Sequence, residues 1–383
     1  MLVLVSSDRF ADHLPPPGHP ERVARAHVMQ AVSDHWASRG VPVLAPRPAT
    51  AAELLRVHTP AYLDRIAATA GRAVKLDADT FTSRDTAEVA ALAAGASIVG
   101  VDAVLDRAGT TLPDAGHPDV SFALVLVRPP GHHAEAARAM GFCIYNNVAV
   151  AAAHALARGC ARVAIVDYDV HHGNGTERIF YTDRRVLFIS THQFPFYPGT
   201  GAAEETGAAG GEGFTVNVPI EAGATDGDYL LVFDRVILPV LRAFQPDLLL
   251  VSAGFDAHMR DPLAGMRMSV AGFNDLGRRL YALASVARCP AVFITEGGYH
   301  LKVLGACLDG LVGVLLDRRD KATTSSAVAK AVPARVSGKG PDAEPLTPDD
   351  LPLSEEVVAG PSRRGAAAVQ LVRAVQQRYW PGL

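Results

Sequence analysis

Cysteine is scarce in this 383-residue chain: Cys143, Cys160, Cys289 and Cys307 are the whole set, and no two of them form a CxxC pair. That excludes a disulfide framework and a thiolate zinc site, and the four read as small buried hydrophobes. Charge of one sign is not in excess either. The balance of 36 Lys plus Arg against 40 Asp plus Glu gives −4, which offers no basic footprint for nucleic acid. Long hydrophobic runs are missing as well: no stretch reaches the roughly 18 to 20 apolar residues that span a bilayer. The apolar start Met1–Val5 runs at once into Ser6, Ser7, Asp8 and Arg9, so it lacks the length and flanks of a signal peptide. The expectation is a soluble cytoplasmic protein that grips neither nucleic acid nor membrane. No internal repeat points to a solenoid, and no interface signature decides between a monomer and a homo-oligomer.

What is present is an alternation of short β-branched runs with longer Ala-rich segments of helical spacing. The runs are 2–5, 121–127, 162–170, 185–190, 247–256 and 291–298, and the helical segments are 20–38, 85–107, 144–158, 226–243, 269–286 and 301–316. This pattern predicts one α/β domain over 1–316, a central parallel sheet flanked by helices on both faces. Residues 317–364 turn to Ala, Ser, Lys, Pro and acidic residues without a period, which reads as a mobile linker. Helical spacing resumes in 365–383, where Val369, Val372, Val375 and Trp380 form an apolar stripe that would dock on the domain.

Each strand run ends in a cluster of His, Asp, Gly or Tyr, and open parallel sheets bind ligands at the carboxyl ends of their strands. The strongest cluster is Asp167-Tyr168-Asp169-Val170-His171-His172-Gly173-Asn174. In extended backbone Asp167, Asp169 and His171 point to one side. Asp169 and His171 then make two thirds of a metal site, and the SAGFD run supplies Asp256 as a third ligand. An Asp/His/Asp set leaves one coordination position open for water, as catalytic sites do. Its oxygen and nitrogen donors suit zinc, but also iron(II), cobalt(II) or manganese. Upstream, His132 and His133 follow a Pro/Gly-stiffened turn and carry imidazoles that exchange protons near neutral pH. Downstream, Glu296-Gly297-Gly298-Tyr299 puts a phenol after a tight turn, where it can donate to a developing oxyanion.

RPPGHHA (128–134), GFC (141–143), DYDVHHGNGT (167–176), FYPGTG (196–201), SAGFDAH (252–258), DPL (261–263) and EGGY (296–299) occur in the order and near the spacing of one family. From about Asp8 to Leu315 the chain resembles the histone deacetylase superfamily, with its arginase-like α/β fold. Asn174 resembles the class II form, which includes bacterial histone deacetylase-like amidohydrolases and acetylpolyamine amidohydrolases; class I members have aspartate there. The resemblance implies that Asp169, His171 and Asp256 hold a catalytic Zn2+, that Asp167 orients His132, and that Asn174 pairs with His133. It further implies a substrate channel of Gly141, Phe142, Tyr197 and Leu263, with Tyr197 where many relatives have phenylalanine. A rim acid is implied near Asp79. Structural K+ or Na+ is implied at Asp167, Asp169, His171, Ser190 and Thr191, and at carbonyls of Phe180, Asp183, Val186 and Phe214.

The chemistry that follows is hydrolysis of an acetyl or other acyl amide on a lysine side chain. The metal activates water, the His pair moves protons with His133 protonating the leaving amine, and Tyr299 stabilises the oxyanion. Substrates would be an acetylated lysine peptide or protein, or, as the rival, an acetylated polyamine. Eukaryotic polyamine-selective relatives place a glutamate where Leu263 aligns, and leucine offers no charge to a second ammonium. A non-catalytic module of the same fold should have lost a ligand or the tyrosine, and none is lost. A binuclear manganese ureohydrolase needs a second full ligand set, which is absent.

Overall fold

Eight parallel strands form one sheet in the order β2-β1-β3-β8-β7-β4-β5-β6. They are β1 (Leu2–Val5), β2 (Val43–Leu44), β3 (Phe122–Val125), β4 (Val163–Asp167), β5 (Val186–Gln193), β6 (Thr215–Ile220), β7 (Leu248–Ala253) and β8 (Ala291–Thr295). The helices are α1 (Ala24–Ala37), α2 (Ala51–Leu54), α3 (Pro60–Ala67), α4 (Thr86–Leu105), α5 (Asn147–Ala157), α6 (Asn174–Phe180), α7 (Asp226–Val232), α8 (Leu238–Phe244), α9 (Val270–Ala287), α10 (Leu301–Leu315) and α11 (Arg363–Gln376). The structure, a computed structural model, describes residues 1–106, 122–317 and 360–383.

Strand residues alternate between two cores, which is why the runs read as continuously apolar rather than alternating. Leu2, Leu4, Phe122 and Leu124 face the core closed by α1 and α7 to α11, whereas Val3, Val5, Ala123 and Val125 face the one closed by α2 to α6. By length and composition α4 could cross a membrane, the one described helix of which that is true, yet 67% of its apolar window is buried. It packs against β3 and α5 as a core helix. The sequence criterion missed it because Glu88 and Asp102 interrupt its apolar run.

The structure departs from the sequence reading in several places. Residues 226–243 form α7 and α8 joined by a π turn at Phe233–Ile237. Pro239 has no N–H for the carbonyl four residues back, and the wider register absorbs that loss. The edge strands β2 and β6 escaped notice: one is two residues long, and the other carries Asn217 and Pro219 within its run. The runs 162–170 and 247–256 leave the sheet at Asp167 and Ala253. Within the expected linker, 318–359 lies outside the described residues.

Helix α11 lies against β6 and α7 and inserts Val372, which is fully buried. Beyond it Trp380 meets Phe214 and Phe244 edge to face, and its indole N–H donates to the Gly213 carbonyl at 3.0 Å. Val372→Ala should therefore cost about 2 kcal/mol, the transfer of two methyl-sized groups plus a small cavity. Urea unfolding of the full chain checks this; an unchanged midpoint would mean that α11 contributes nothing to the cooperative unit.

Candidate functional site

The site is assembled where β4, β7, β8 and β3 hand over to loops. Past the end of β4, Asp167 Oδ1 accepts from the Asp169 N–H at 3.1 Å, and Asp169 Oδ1 accepts from the His171 N–H at 2.9 Å. Each Asp thus caps the backbone two residues on. These turns, rather than extended pleating, bring Asp169 and His171 together after the strand has ended. Asp256 comes from the loop after β7 and accepts from the Val170 N–H at 2.9 Å.

One ligand atom from each of Asp169, His171 and Asp256 lies within 4.8 Å of the others, and no other His, Cys, Asp or Glu cluster among the described residues meets that spacing. His171 Nδ1 is the converging atom, 3.1 Å from Asp169 Oδ1 and 3.2 Å from Asp256 Oδ2. The second contact is an ion pair and not a hydrogen bond, so Asp256 Oδ2 is buried with His171 as its ion-pair partner and no hydrogen bond of its own. Burial raises the Asp256 pKa, and the Asp169 charge raises it further. Two buried carboxylates facing one imidazole, with one oxygen making no hydrogen bond, are costly unless a cation sits between them. The donor set fits a divalent ion of zinc type. Backbone closes the cluster from behind. A Cβ on Gly254 would lie 2.0 Å from Asp169 Oδ2, and one on Gly297 would lie 2.1 Å from Asp256 Oδ2. Only glycine allows so close an approach.

His132 and His133 lie beside this cluster with ring centroids 4.1 Å apart and planes tilted by 42°. His132 Nδ1 pairs with Asp167 Oδ2 at 2.9 Å, leaving Nε2 3.8 Å from Asp169 Oδ1. Burial would depress the His132 pKa, but the Asp167 and Asp169 carboxylates push it up to about 10. His133 Nδ1 pairs with the Asn174 carboxamide oxygen at 2.7 Å. That partner is neutral, so burial and the neighbouring His132 and His171 hold His133 well below the ordinary range of an imidazole. The two rings thus differ in proton affinity because one second-layer partner is charged and the other is not.

Tyr299 is 6% exposed, and its hydroxyl makes no hydrogen bond to another described residue. Its ring meets Phe142 edge to face at 5.7 Å and lies under the Arg25 guanidinium at 5.0 Å. Burial raises its pKa, keeping the phenol a donor. Opposite, Tyr197 meets His133 edge to face at 5.2 Å and is 38% exposed, so it stands at the mouth. Gly141 packs directly on the His133 ring, which a Cβ would strike at 2.3 Å. Asp79 Oδ1 accepts from the Gly141 N–H at 3.2 Å, which puts the expected rim acid beside the expected channel wall. Leu263 is half-buried on the loop after Asp256.

Several residues of the site were not singled out from the sequence. Phe196 stacks on His171 at 5.5 Å, nearer than Tyr197 at 6.1 Å. Glu296 accepts from the Gly131 and His132 N–H groups at 2.6 and 3.2 Å, fixing the His-pair turn. Asp261 accepts from the backbone of Tyr299. Arg25 donates to the carbonyls of Gly298 and Glu296 at 2.8 and 2.5 Å. Arg25 and Arg128 share the buried Glu21. Of the residues expected around a monovalent ion, Thr191 Oγ1 lies 3.5 Å from the Asp167 carbonyl, and Ser190 Oγ pairs with His192 Nδ1 at 3.0 Å. The carbonyls of Phe180, Asp183 and Phe214 each accept a backbone N–H, from Asp183, Val186 and Phe188. A concavity of about 1260 Å³ near Arg158, Asp247 and Pro290 opens at the opposite ends of the strands and holds none of the site residues.

The sequence pattern of the histone deacetylase domain matches residues 17–315. A probable deacetylase of Archaeoglobus fulgidus is 38% identical over 304 residues, covering 78% of this chain and 81% of that protein. Histone deacetylase 15 of Arabidopsis thaliana is 36% identical over 387 residues, all of this chain but 62% of that relative's own length. The crystal structure of the HDA15 HD domain matches with a TM-score of 0.80 at 33% identity, covering 100% of this chain and 96% of that one. The eight-stranded parallel sheet with helices on both faces is thus the arginase/deacetylase-like fold, and the chain belongs to the histone deacetylase family.

Proposed function

We propose that this protein is a zinc-dependent deacetylase that hydrolyses the acetyl, or another acyl, amide of a lysine side chain. The observation that carries the reading is the pair of buried histidines, one on a carboxylate and one on a carboxamide, facing the Asp169/His171/Asp256 cluster. Those three residues would hold the ion, and iron(II) or cobalt(II) would suit the same donors. When bound, the ion supplies Lewis acidity toward a water and toward the amide carbonyl.

The chain's own residues do the rest. Asp167 fixes His132 with Nε2 toward the cluster and, with Asp169, keeps that ring protonated, so His132 contributes positive charge beside the reacting atoms. His133, held at Nδ1 by Asn174 and low in proton affinity, takes a proton from the attacking water at Nε2 and returns that proton to the amine that leaves. Tyr299 donates its hydroxyl to the oxygen that becomes negative in the tetrahedral intermediate. Gly141, Phe142, Tyr197 and Leu263, with Phe196, form a narrow apolar sleeve for the alkyl chain, and Asp79 stands ready for the substrate backbone at the rim. The K+ or Na+ sites around Asp167, Ser190 and Thr191, and around Phe180, Asp183, Val186 and Phe214, belong to the same reading as structural ions. An acetylated polyamine is the second reading, since it also offers an acetamide on an alkyl chain. The half-buried Leu263 favours lysine substrates because it gives a second ammonium no partner.

Turnover of acetyl-lysine peptides against acetylated polyamines, with bound metal assayed on the same sample, tests the reading; no turnover of either by the metal-loaded enzyme would end it. Leu263→Glu should shift the ratio of kcat/KM toward the polyamine by about tenfold or more, because an anion at the channel discriminates more strongly than apolar fit. An unchanged ratio would show that this side chain does not face the substrate.

A further inference from the structure

Tyr299 follows two glycines, and Gly298 adopts φ 121°, so little in the local chain fixes the direction in which the phenol points. Its N–H is not taken up by a strand or helix, because β8 ends at Thr295 and α10 starts at Leu301. The partner is Asp261, which is 6% exposed. Asp261 Oδ2 accepts from the Tyr299 N–H at 2.7 Å and from the His300 N–H at 3.3 Å. Its other oxygen, Oδ1, accepts from the Leu263 N–H at 3.0 Å. A single carboxylate therefore ties the loop that carries Tyr299 to the loop that carries Leu263. It also sits at the N-terminal end of the 15-residue helix α10, where a negative charge is favourable.

We infer that Asp261 is the positioning residue of the site: it sets the direction of the Tyr299 hydroxyl and couples it to the channel residue Leu263, without touching substrate itself. The inference rests on the deacetylase reading for its kinetic consequence, though not for the tether. Among the described residues the Asp261 carboxylate is the side-chain acceptor for the Tyr299 N–H, and Arg25 holds the carbonyl of the same Gly298–Tyr299 peptide from its opposite edge. Loss of the acceptor leaves that peptide held at its carbonyl edge alone, next to a glycine hinge. Displacement of a catalytic group by about 1 Å can cost up to about a hundredfold in rate.

The test is Asp261→Asn in the full-length metal-loaded enzyme, alone and combined with Tyr299→Phe. Asparagine keeps the shape but has one accepting oxygen in place of two, so the two loops can no longer both be held. Amide hydrogen exchange at Tyr299 and His300 should speed up by about tenfold or more, a local opening that global unfolding does not produce. Turnover of an acetyl-lysine peptide should fall about tenfold to a hundredfold in kcat with a smaller change in KM. In the Tyr299→Phe background the same substitution should cost less than about threefold, because the two act as one unit. Unchanged exchange at Tyr299 and His300 would overturn the tether, and a full, additive loss in the Tyr299→Phe background would overturn action through the phenol. If Tyr299→Phe alone keeps full activity, the oxyanion role has failed, whereas faster exchange in Asp261→Asn still upholds the tether.

Discussion

Asp256→Ala or His171→Ala should abolish tight zinc binding and lower turnover by at least about three orders of magnitude, the several kcal/mol that a Lewis acid contributes. The fold should survive. In the metal-free chain Asp169 and Asp256 are two buried carboxylates that share one imidazole, and Asp256 is pushed toward its neutral form by burial and by Asp169. Removing Asp256 relieves the repulsion with Asp169 but leaves the Val170 N–H without its acceptor, so the apo fold should persist with a loss of no more than about 1 to 3 kcal/mol, in contrast to a zinc finger that unfolds without metal. His171→Ala relieves no repulsion in the apo state, since it leaves both carboxylates without their counter-charge. Metal content, peptide turnover and thermal unfolding of the two variants, with and without added zinc, check the set. Full activity in either variant would remove the proposed metal centre. Unfolding of Asp256→Ala in the absence of metal would instead make the cluster structural.

The Asp169/His171/Asp256 cluster was legible in the sequence because its parts are close in the chain or stand directly after apolar runs. Asp167, Asp169 and His171 lie within five residues, and the turns that gather them are made by the same aspartates. Asp256 and Tyr299 follow β7 and β8, and the parallel topology brings the ends of β8, β7 and β4 side by side. The supporting layer was not legible for the converse reason. Glu21 meets Arg128 across 107 residues, Arg25 meets the Gly298 carbonyl across 273, and Asp261 meets Tyr299 across 38. No local period or spacing announces such pairs. Their residue types are also those that a sequence reading assigns to solvent, since a charged side chain is buried only when a partner compensates it. Glu296 was quoted within its motif, but its acceptor role toward Gly131 and His132 depends on β3 lying next to β8. The edge strand β6 failed differently: it lies at the margin of the sheet, where Pro219 and Asn217 are tolerated and the apolar run is broken.

Tyr299→Phe should lower kcat by about two to three orders of magnitude, with KM and bound metal nearly unchanged. The substitution keeps the ring that packs on Phe142 and under Arg25, and deletes one hydroxyl. That hydroxyl has no described partner in the resting site, so its removal leaves no buried donor or acceptor orphaned. Stability should therefore change little, in contrast to Phe142→Ala or any change that empties the space. The donor matters only once charge appears on the amide oxygen, so its loss falls on the transition state and not on the Michaelis complex. An oxyanion-hole donor is worth about 2.7 to 4 kcal/mol in other hydrolases, which sets the size of the expected fall. Steady-state kinetics on an acetyl-lysine peptide, with zinc assayed on the same preparation, separate the alternatives. A rise in KM at constant kcat would make the phenol a binding group for the ground-state carbonyl. A loss below about fivefold would make Tyr299 a packing residue of the channel wall and leave oxyanion stabilisation to the metal alone.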